Sequence, residues 1–259
     1  MNGIRIEERL MQMKRVATAA VLPVAALAYS PSGFAQDGHP DWPSPVHDNT
    51  VLTKVMVDRL ERRDASPEDF TYWEAQAWAG GDINKLWLKT EGARLNGKTE
   101  DAELEAYYSR AVAAFWDFQV GARHDFSIED TPARNWLGIG FKGLAPYRFE
   151  VDATLYAGTK GRSAARLKAE YDLLLTQRLV LMPEAEFNLY GKADPERGLG
   201  SGLTDSAVTL RVRYEFAREF APYVGVTWEN KYGGTADQAR AAGAPTHDTQ
   251  YVVGVRAWW

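Results

Sequence analysis

The sequence predicts an all-β protein: a closed antiparallel transmembrane β-barrel of the bacterial outer membrane, with about 12 strands and a charged lumen. Many segments of about ten residues alternate apolar and polar side chains, and the last of them ends the chain at Trp259. The 259 residues also include 9 Trp and 12 Tyr, but no Cys. Membrane barrels concentrate Trp and Tyr at both interfaces, and a chain without disulfides depends on hydrogen bonding and packing.

The first 35 residues are typical of a cleaved secretory signal. Lys14 and Arg15 precede an apolar run at 16–28, and Ala35 occupies a small-residue cleavage position. The run is shorter than the ~20 apolar residues of a spanning helix, which disfavours the alternative of a membrane anchor. Cleavage leaves a short flexible periplasmic segment at 36–50 and a barrel at 51–259. Acidic residues ahead of the run leave three start codons open: Met1, Met11 and Met13.

The clearest alternating segment runs from Ala207 to Phe216. Its apolar face begins at Val208, and its other face carries Arg211 and Arg213. In an outer-membrane barrel the apolar face contacts lipid and the charges line the lumen, because a basic side chain on the lipid face costs roughly 2–4 kcal/mol at the bilayer midplane. The same pattern recurs at 147–156, 166–173 and 251–259.

Alternation and turn signals together predict the order of strands. The strands lie near 51–61, 70–80, 84–95, 103–113, 116–126, 134–143, 147–158, 163–175, 178–190, 204–217, 220–231 and 249–259. Tight connections alternate with longer ones at 96–102, 127–133, 191–203 and 232–248. Bacterial barrels have an even number of strands, short periplasmic turns and longer extracellular loops. If the C-terminus lies in the periplasm, an even number of strands requires one more strand before residue 70. The segment at 51–61 supplies this first strand, with Met56 on its lumen side.

Composition and motifs disfavour several classes of function. The formal net charge is -5, whereas nucleic-acid binding needs a clustered surplus of Lys and Arg. No strand–turn–helix nucleophile elbow is present, and a Ser–His pair such as His124 with Ser109 or Ser127 is weak support for catalysis. We therefore expect no enzyme and no nucleic-acid partner. Two alternatives remain open, a general small-solute pore and a lipid-modifying barrel enzyme.

Several long runs are similar to one known family: PVHDN at 45–49, WEAQAWAGGDINKLWLKTEG at 73–92, YSRAVAAFWDFQVGARHDF at 108–126, WLGIGFKGLAPYRFEVDATLY at 136–156, RLKAEYDLLLTQRLVLMPEAEFNLYGK at 166–192 and LRVRYEFAREFAPYVGVTWENKYG at 210–233. They resemble the outer-membrane copper-resistance protein B family (CopB/PcoB). The resemblance implies a copper-binding barrel that acts in copper tolerance beside a periplasmic multicopper oxidase. Family members commonly carry a long N-terminal extension rich in Met and His, whereas the segment at 36–50 has His39 and His47 and no Met.

Six residues are the predicted copper ligands: Met56, Met182, Glu184, Glu186, His39 and His47. Alternation places the two methionines and the two glutamates on the lumen face. Thioethers suit Cu(I), while imidazole with carboxylate suits Cu(II), and copper would be cargo rather than a catalytic cofactor. The lumen cluster requires the first and ninth strands to approach each other; otherwise the methionines only fill irregular gaps. His124 and His247 are weaker candidates.

The final strand also predicts partners. Its outward set, from Tyr251 to Trp259, resembles the C-terminal signal that the outer-membrane insertion machinery reads. We therefore expect this machinery and outer-membrane lipid as partners.

The sequence leaves open whether copper moves inward, moves outward or is only held.

Overall fold

The computed structural model describes residues 51–66, 68–128 and 131–259. These ranges contain nearly all of the predicted barrel. The predicted signal at 1–35, the segment at 36–50, and His39 and His47 lie outside the described residues.

Thirteen strand segments form twelve barrel strands in this part of the chain, because β8 and β9 are two pieces of one strand. They are β1 (Leu52–Asp64), β2 (Phe70–Gly80), β3 (Asn84–Leu95), β4 (Lys98–Ala113), β5 (Trp116–Asp125), β6 (Arg134–Ala145), β7 (Phe149–Gly158), β8 (Ser163–Glu170), β9 (Leu173–Leu174), β10 (Leu179–Tyr190), β11 (Gly202–Tyr214), β12 (Phe220–Lys231) and β13 (His247–Trp258).

Each strand pairs antiparallel with its neighbours, and β13 pairs with β1 to close the ring. The closing ladder places Val57 opposite Ala257. Trp259 extends it, since its backbone exchanges hydrogen bonds with Val55 at 3.0 and 2.9 Å. A closed ring leaves no unpaired sheet edge, which is what a β structure needs in a bilayer. The predicted fold class is confirmed.

Polarity is inverted relative to a water-soluble protein. Large apolar side chains cover the outside, where Leu155 is 59% exposed and Val253 is 61% exposed. The inside holds charged groups, and Arg211 and Glu61 are each 1% exposed. The outer surface therefore suits lipid, and the polar interior satisfies itself by ion pairing.

The two ends of the barrel have different connections. At the end that carries Leu52 and Trp258, which we call the short-turn end, the connections are 81–83, 114–115, 146–148, 175–178 and 215–219. The opposite end, which we call the loop end, carries the longest connections: 126–133, 191–201 and 232–246.

The predicted long loop at 96–102 is wrong. The structure has a two-residue turn there, Asn96-Gly97, with φ angles of 48° and 82°, and β4 begins at Lys98. Two successive positive φ angles match the twist of a hairpin, and Asn-Gly is the pair that adopts them most readily. The next strand is therefore longer than its alternation indicated.

The predicted continuous strand at 163–175 is also wrong. The strand stops at Glu170 and resumes at Leu173. Opposite the break lies Pro183 on β10, whose carbonyl accepts a hydrogen bond from the Tyr171 N–H at 3.1 Å. Because proline has no N–H to return, the ladder between the two strands is interrupted there.

The predicted loop at 232–248 contains a helix, α1 (Gly233–Ala241), and β13 begins at His247. Within the ranges that the structure describes, no helix is long and apolar enough to cross a membrane.

Candidate functional site

One ion pair crosses the full width of the lumen. The Nζ atom of Lys168 on β8 lies 2.6 Å from Oε1 of Glu74 on β2. These two strands are six places apart in either direction around the twelve-strand ring, so they face each other across its diameter. The lumen is therefore bridged at this level rather than open.

Arg59 on β1 forms a second bridge, with three carboxylates around it. Its guanidinium contacts Glu184 on β10, lies 3.0 Å from Glu74, and lies 3.6 Å from Glu170 on β8. One side chain thus links strands from both sides of the lumen.

The position of Arg59 depends on a bulge that the sequence pattern missed. Strict alternation from Met56 would point Arg59 and Glu61 toward lipid. The pairing of β1 shifts register between Val57 and Arg59, which adds one residue to the strand. Arg59, Glu61 and Arg63 consequently face the lumen, where all three are buried.

Arg211 on β11 completes the central network. Its Nε atom donates to Oε1 of Glu61 at 2.7 Å, and Nη1 donates to Oε2 of Glu184 at 2.9 Å. The Tyr223 hydroxyl donates to the same oxygen of Glu61 at 3.0 Å. Glu184 is therefore held by two guanidinium groups, those of Arg59 and Arg211, and buried charges persist only with such partners.

Arg166 on β8 is the centre of another network toward the loop end. It donates to both carboxylate oxygens of Glu103, at 2.7 and 3.1 Å. Glu91 lies 3.2 Å from this guanidinium and Glu186 lies 3.6 Å from it. The fork to Glu103 is the strong interaction, and the contact with Glu186 is the longest of the three.

The space inside the barrel is divided into a small middle cavity and a larger vestibule at the loop end. The middle cavity is about 100 Å³ and is lined by Met182 and Glu186 among other side chains. The vestibule is about 750 Å³ and extends to residues of α1 and of the 191–201 connection. Eight carboxylates and six basic side chains line it. This excess of negative charge attracts cations.

Met182 faces the lumen, as alternation predicts, and is buried. Its sulfur lies 3.0 Å from Nη1 of Arg213, which donates to it. Glu186 lines the same middle cavity, and Oε1 of Glu186 accepts a hydrogen bond from Asn188 at 3.1 Å. The structure therefore brings Met182 and Glu186 to one cavity.

Met56 also faces the lumen but has different surroundings. It forms a buried apolar cluster with Trp87 and Tyr107, against which Trp78 and Trp258 pack. Methionine commonly fills gaps of this kind. The structure thus separates the environments of the two methionines, and copper binding by the predicted set stays a prediction.

No group of three or more His, Asp and Glu side chains in the described ranges is arranged to hold a metal ion. The weaker candidate His124 lies on the outer face opposite Leu104, with Nδ1 2.7 Å from the side-chain oxygen of Asn135. Ser109 faces the lumen, where its hydroxyl donates to Asp117 at 3.0 Å. His124 and Ser109 therefore lie on opposite sides of the barrel wall and do not form a pair, and the hydroxyl of Ser127, the other serine considered, donates to the Thr131 carbonyl at 2.9 Å.

The fold is shared with a known outer-membrane porin. The NanC porin superposes on 78% of this chain and 98% of its own, with a TM-score of 0.54 and 12% sequence identity. At that identity the likeness shows the fold alone.

Sequence comparison shows the family. The family model described as "Copper resistance protein B precursor (CopB)" matches residues 51–259. A copper resistance protein B homolog of Pseudomonas syringae pv. tomato is 46% identical over 83% of this chain and 72% of its own length. A copper resistance protein B of Escherichia coli is 44% identical over the same shares of each chain. The chain belongs to the copper resistance protein B family, as its long runs of similarity predicted.

Proposed function

We propose that this barrel binds copper in its lumen as cargo and either sequesters it or mediates its passage across the outer membrane. Membership of the copper resistance protein B family supports copper tolerance as the setting. One structural observation carries the mechanism: an acidic vestibule adjoins a cavity that presents the thioether of Met182 and the carboxylate of Glu186. Glu186 and Arg166 line both spaces.

The sulfur of Met182 can be released to a metal at little electrostatic cost. Its present partner, Arg213, also contacts Asp172 at 3.0 Å and Glu215 at 3.1 Å. The guanidinium therefore keeps carboxylate partners when it leaves the sulfur, and no unpaired charge is created. A soft Cu(I) ion is the cation that a thioether prefers.

The two predicted glutamates differ in how easily they can bind a metal. The contact of Glu186 with Arg166 is long, 3.6 Å, and Arg166 keeps Glu103 when that contact is lost. Glu184 is buried and makes short contacts with both Arg59 and Arg211, so its binding to a metal would break two buried ion pairs. We therefore assign Glu186 to copper and Glu184 to the framework.

The proposed orientation puts the short-turn end and the C-terminus in the periplasm and the loop end outside. Copper then meets the vestibule from the exterior, and a periplasmic multicopper oxidase is a partner suited to the opposite end. A general small-solute pore is disfavoured, because Lys168 and Glu74 bridge the lumen.

Copper titration of the purified barrel tests the site. Met56→Leu combined with Met182→Leu should weaken Cu(I) binding about tenfold or more, the equivalent of ~1.4 kcal/mol, because two thioethers are replaced by alkyl groups of similar shape. Met182→Leu alone should account for most of the loss, since Met182 and not Met56 lines the middle cavity.

Glu150→Gln is the matched control. It removes a carboxylate from the same cavity, but one that pairs with Lys142 and lies outside the predicted ligand set. It should bind Cu(I) like the parent protein. Parent-like binding by the double methionine variant would sink the site assignment.

A further inference from the structure

The connection between β10 and β11 crosses the mouth of the barrel at the loop end. In this connection, residues 191–201, which we call the strap, Arg197 reaches the far rim. Its Nη1 donates to the Pro132 carbonyl at 2.9 Å, and its Nη2 donates to Asp101 on β4 at 3.2 Å. Around the twelve-strand ring, β4 is five places from β10 and six from β11. The strap therefore spans nearly the full diameter.

α1 lies against the strap. The Gly200 N–H donates to the Thr235 hydroxyl at 2.8 Å, and the Gln238 side-chain amide donates to the Leu199 carbonyl at 3.2 Å. Leu199, Thr235 and Gln238 all line the vestibule. The strap and α1 thus form one layer over the vestibule.

Asp194 fastens the strap to the barrel rim. Arg134, the first residue of β6, donates to both of its carboxylate oxygens, at 2.7 and 3.0 Å. Arg162, between β7 and β8, lies 3.1 Å from the same carboxylate. The Asp194 side chain is 4% exposed, whereas Glu196, another partner of Arg134, is 67% exposed. A two-pronged pair to a buried carboxylate is strong and specific in geometry, and an exposed ion pair contributes little.

The middle of the strap is held together by its own backbone hydrogen bonds. Asp194 and Leu199 exchange backbone hydrogen bonds at 2.9 and 3.1 Å, and the Arg197 N–H donates to the Asp194 carbonyl at 3.0 Å. Gly191 precedes this unit and Gly202, with a φ of 86°, follows it. Glycines at the two ends allow the backbone rotations that a hinge requires.

We propose that the strap and α1 are a lid over the vestibule, and that the pairing of Asp194 with Arg134 and Arg162 is the latch that keeps the lid shut. Rupture of the latch leaves this unit attached to the far rim by Arg197, whose partner Asp101 is 60% exposed and therefore holds it weakly, while the strands beneath stay paired. The lid controls access to the vestibule whichever solute the lumen binds. This proposal therefore does not depend on copper binding.

Thiol labelling tests the lid, because the chain has no cysteine of its own. Ala207→Cys places a reporter on the vestibule wall, and Thr159→Cys places a reference thiol in an exposed turn at the same end. The rate of reaction with a charged thiosulfonate is measured on the purified barrel. With Asp194→Asn the rate at position 207 should rise about tenfold or more, because Arg134 and Arg162 lose the buried carboxylate that they share. The rate at position 159 should stay the same.

Glu196→Gln is the matched control, since it removes the exposed partner of the same Arg134 and should leave the rate at position 207 within about twofold. If position 207 in the parent reacts as fast as position 159, the lid is overturned. If Asp194→Asn leaves the rate unchanged in a barrel that retains heat-modifiable gel mobility, the latch is overturned. Should that variant fail to fold, Arg162→Gln keeps the Arg134 fork and should give a smaller rise; no rise overturns the latch.

Discussion

At Arg211, a side chain that is 2% exposed lies between two carboxylates, those of Glu61 and Glu184. Removal of one member of such a pair leaves a buried charge unpaired and costs about 3–5 kcal/mol. Side chains in this position hold the barrel together and are poor candidates for cargo. Met182 and Glu186 differ because the thioether of Met182 is uncharged and the contact of Glu186 with Arg166 is long, 3.6 Å, so neither has to break a short buried ion pair to bind a metal.

Asp194 gives the strap a dependence on pH. Hydrogen bonds from Arg134, together with the positive charges of Arg134, Arg162 and Arg197, hold the pKa of Asp194 below its usual value of 3.8. Glu196 is the acidic group that shares Arg134 with it. A carboxyl group whose folded pKa is lowered stabilises the folded form above the unfolded pKa and loses that contribution as the pH falls through the folded pKa. The strap should therefore stay fastened above pH 3.8 and loosen below it.

Pepsin, which is active in acid, provides the measurement. Cleavage within the strap, normalised to that of an unstructured peptide of the same sequence, should rise as the pH falls from about 4 to about 2. Asp194→Asn should be cleaved at both pH values, and Glu196→Gln should behave like the parent protein. Normalised cleavage of the parent that does not change with pH contradicts the role given to Asp194.

At the scale of elements, alternation predicted the twelve strands because a period of two reports directly on the two faces of a barrel wall. The sequence also contains local turn and strand-break residues, which the alternation of apolar and polar side chains does not reveal. The Asn96-Gly97 pair indicated a hairpin turn, and Pro183 indicated a break in its ladder. The bulge after Val57 left no such signal, because it depends on how β1 closes the ring against β13.

The candidate site was predictable only in part for the same reason. Alternation alone places Met182, Glu184 and Glu186 on the lumen face. The ion pairing of Glu184 could not be predicted, because its partner Arg59 is 125 residues away in the chain and faces inward only through the bulge. Partners across a lumen are set by closure of the whole ring, which no local pattern encodes.

At the scale of the whole molecule, the number of strands does not by itself show whether the lumen is open. Barrels of about eight strands are filled by side chains and those of about sixteen enclose a water channel, so twelve strands could enclose either. Here ion pairs cross the lumen, and the pair of Lys168 and Glu74 spans its diameter. We therefore expect the parent barrel to conduct ions poorly in planar bilayers.

Glu74→Ala combined with Lys168→Ala should raise that conductance several-fold, because the widest bridge is removed. Glu150→Ala combined with Lys142→Ala is the control, since this pair, 3.3 Å apart, joins the neighbouring strands β6 and β7 and does not span the lumen. A large conductance in the parent barrel would instead favour the general pore.

Growth on graded copper is the most direct test of the central claim, that the lumen of this barrel handles copper. A strain that lacks the gene is complemented with the parent protein or with the Met56→Leu and Met182→Leu double variant, and periplasmic and total copper are measured alongside growth. We predict that the parent restores tolerance and that the double variant, present in the outer membrane at the same level, does not. Equal protection by the two proteins would contradict the account. Full copper tolerance in the deletion strain without either protein would also contradict it.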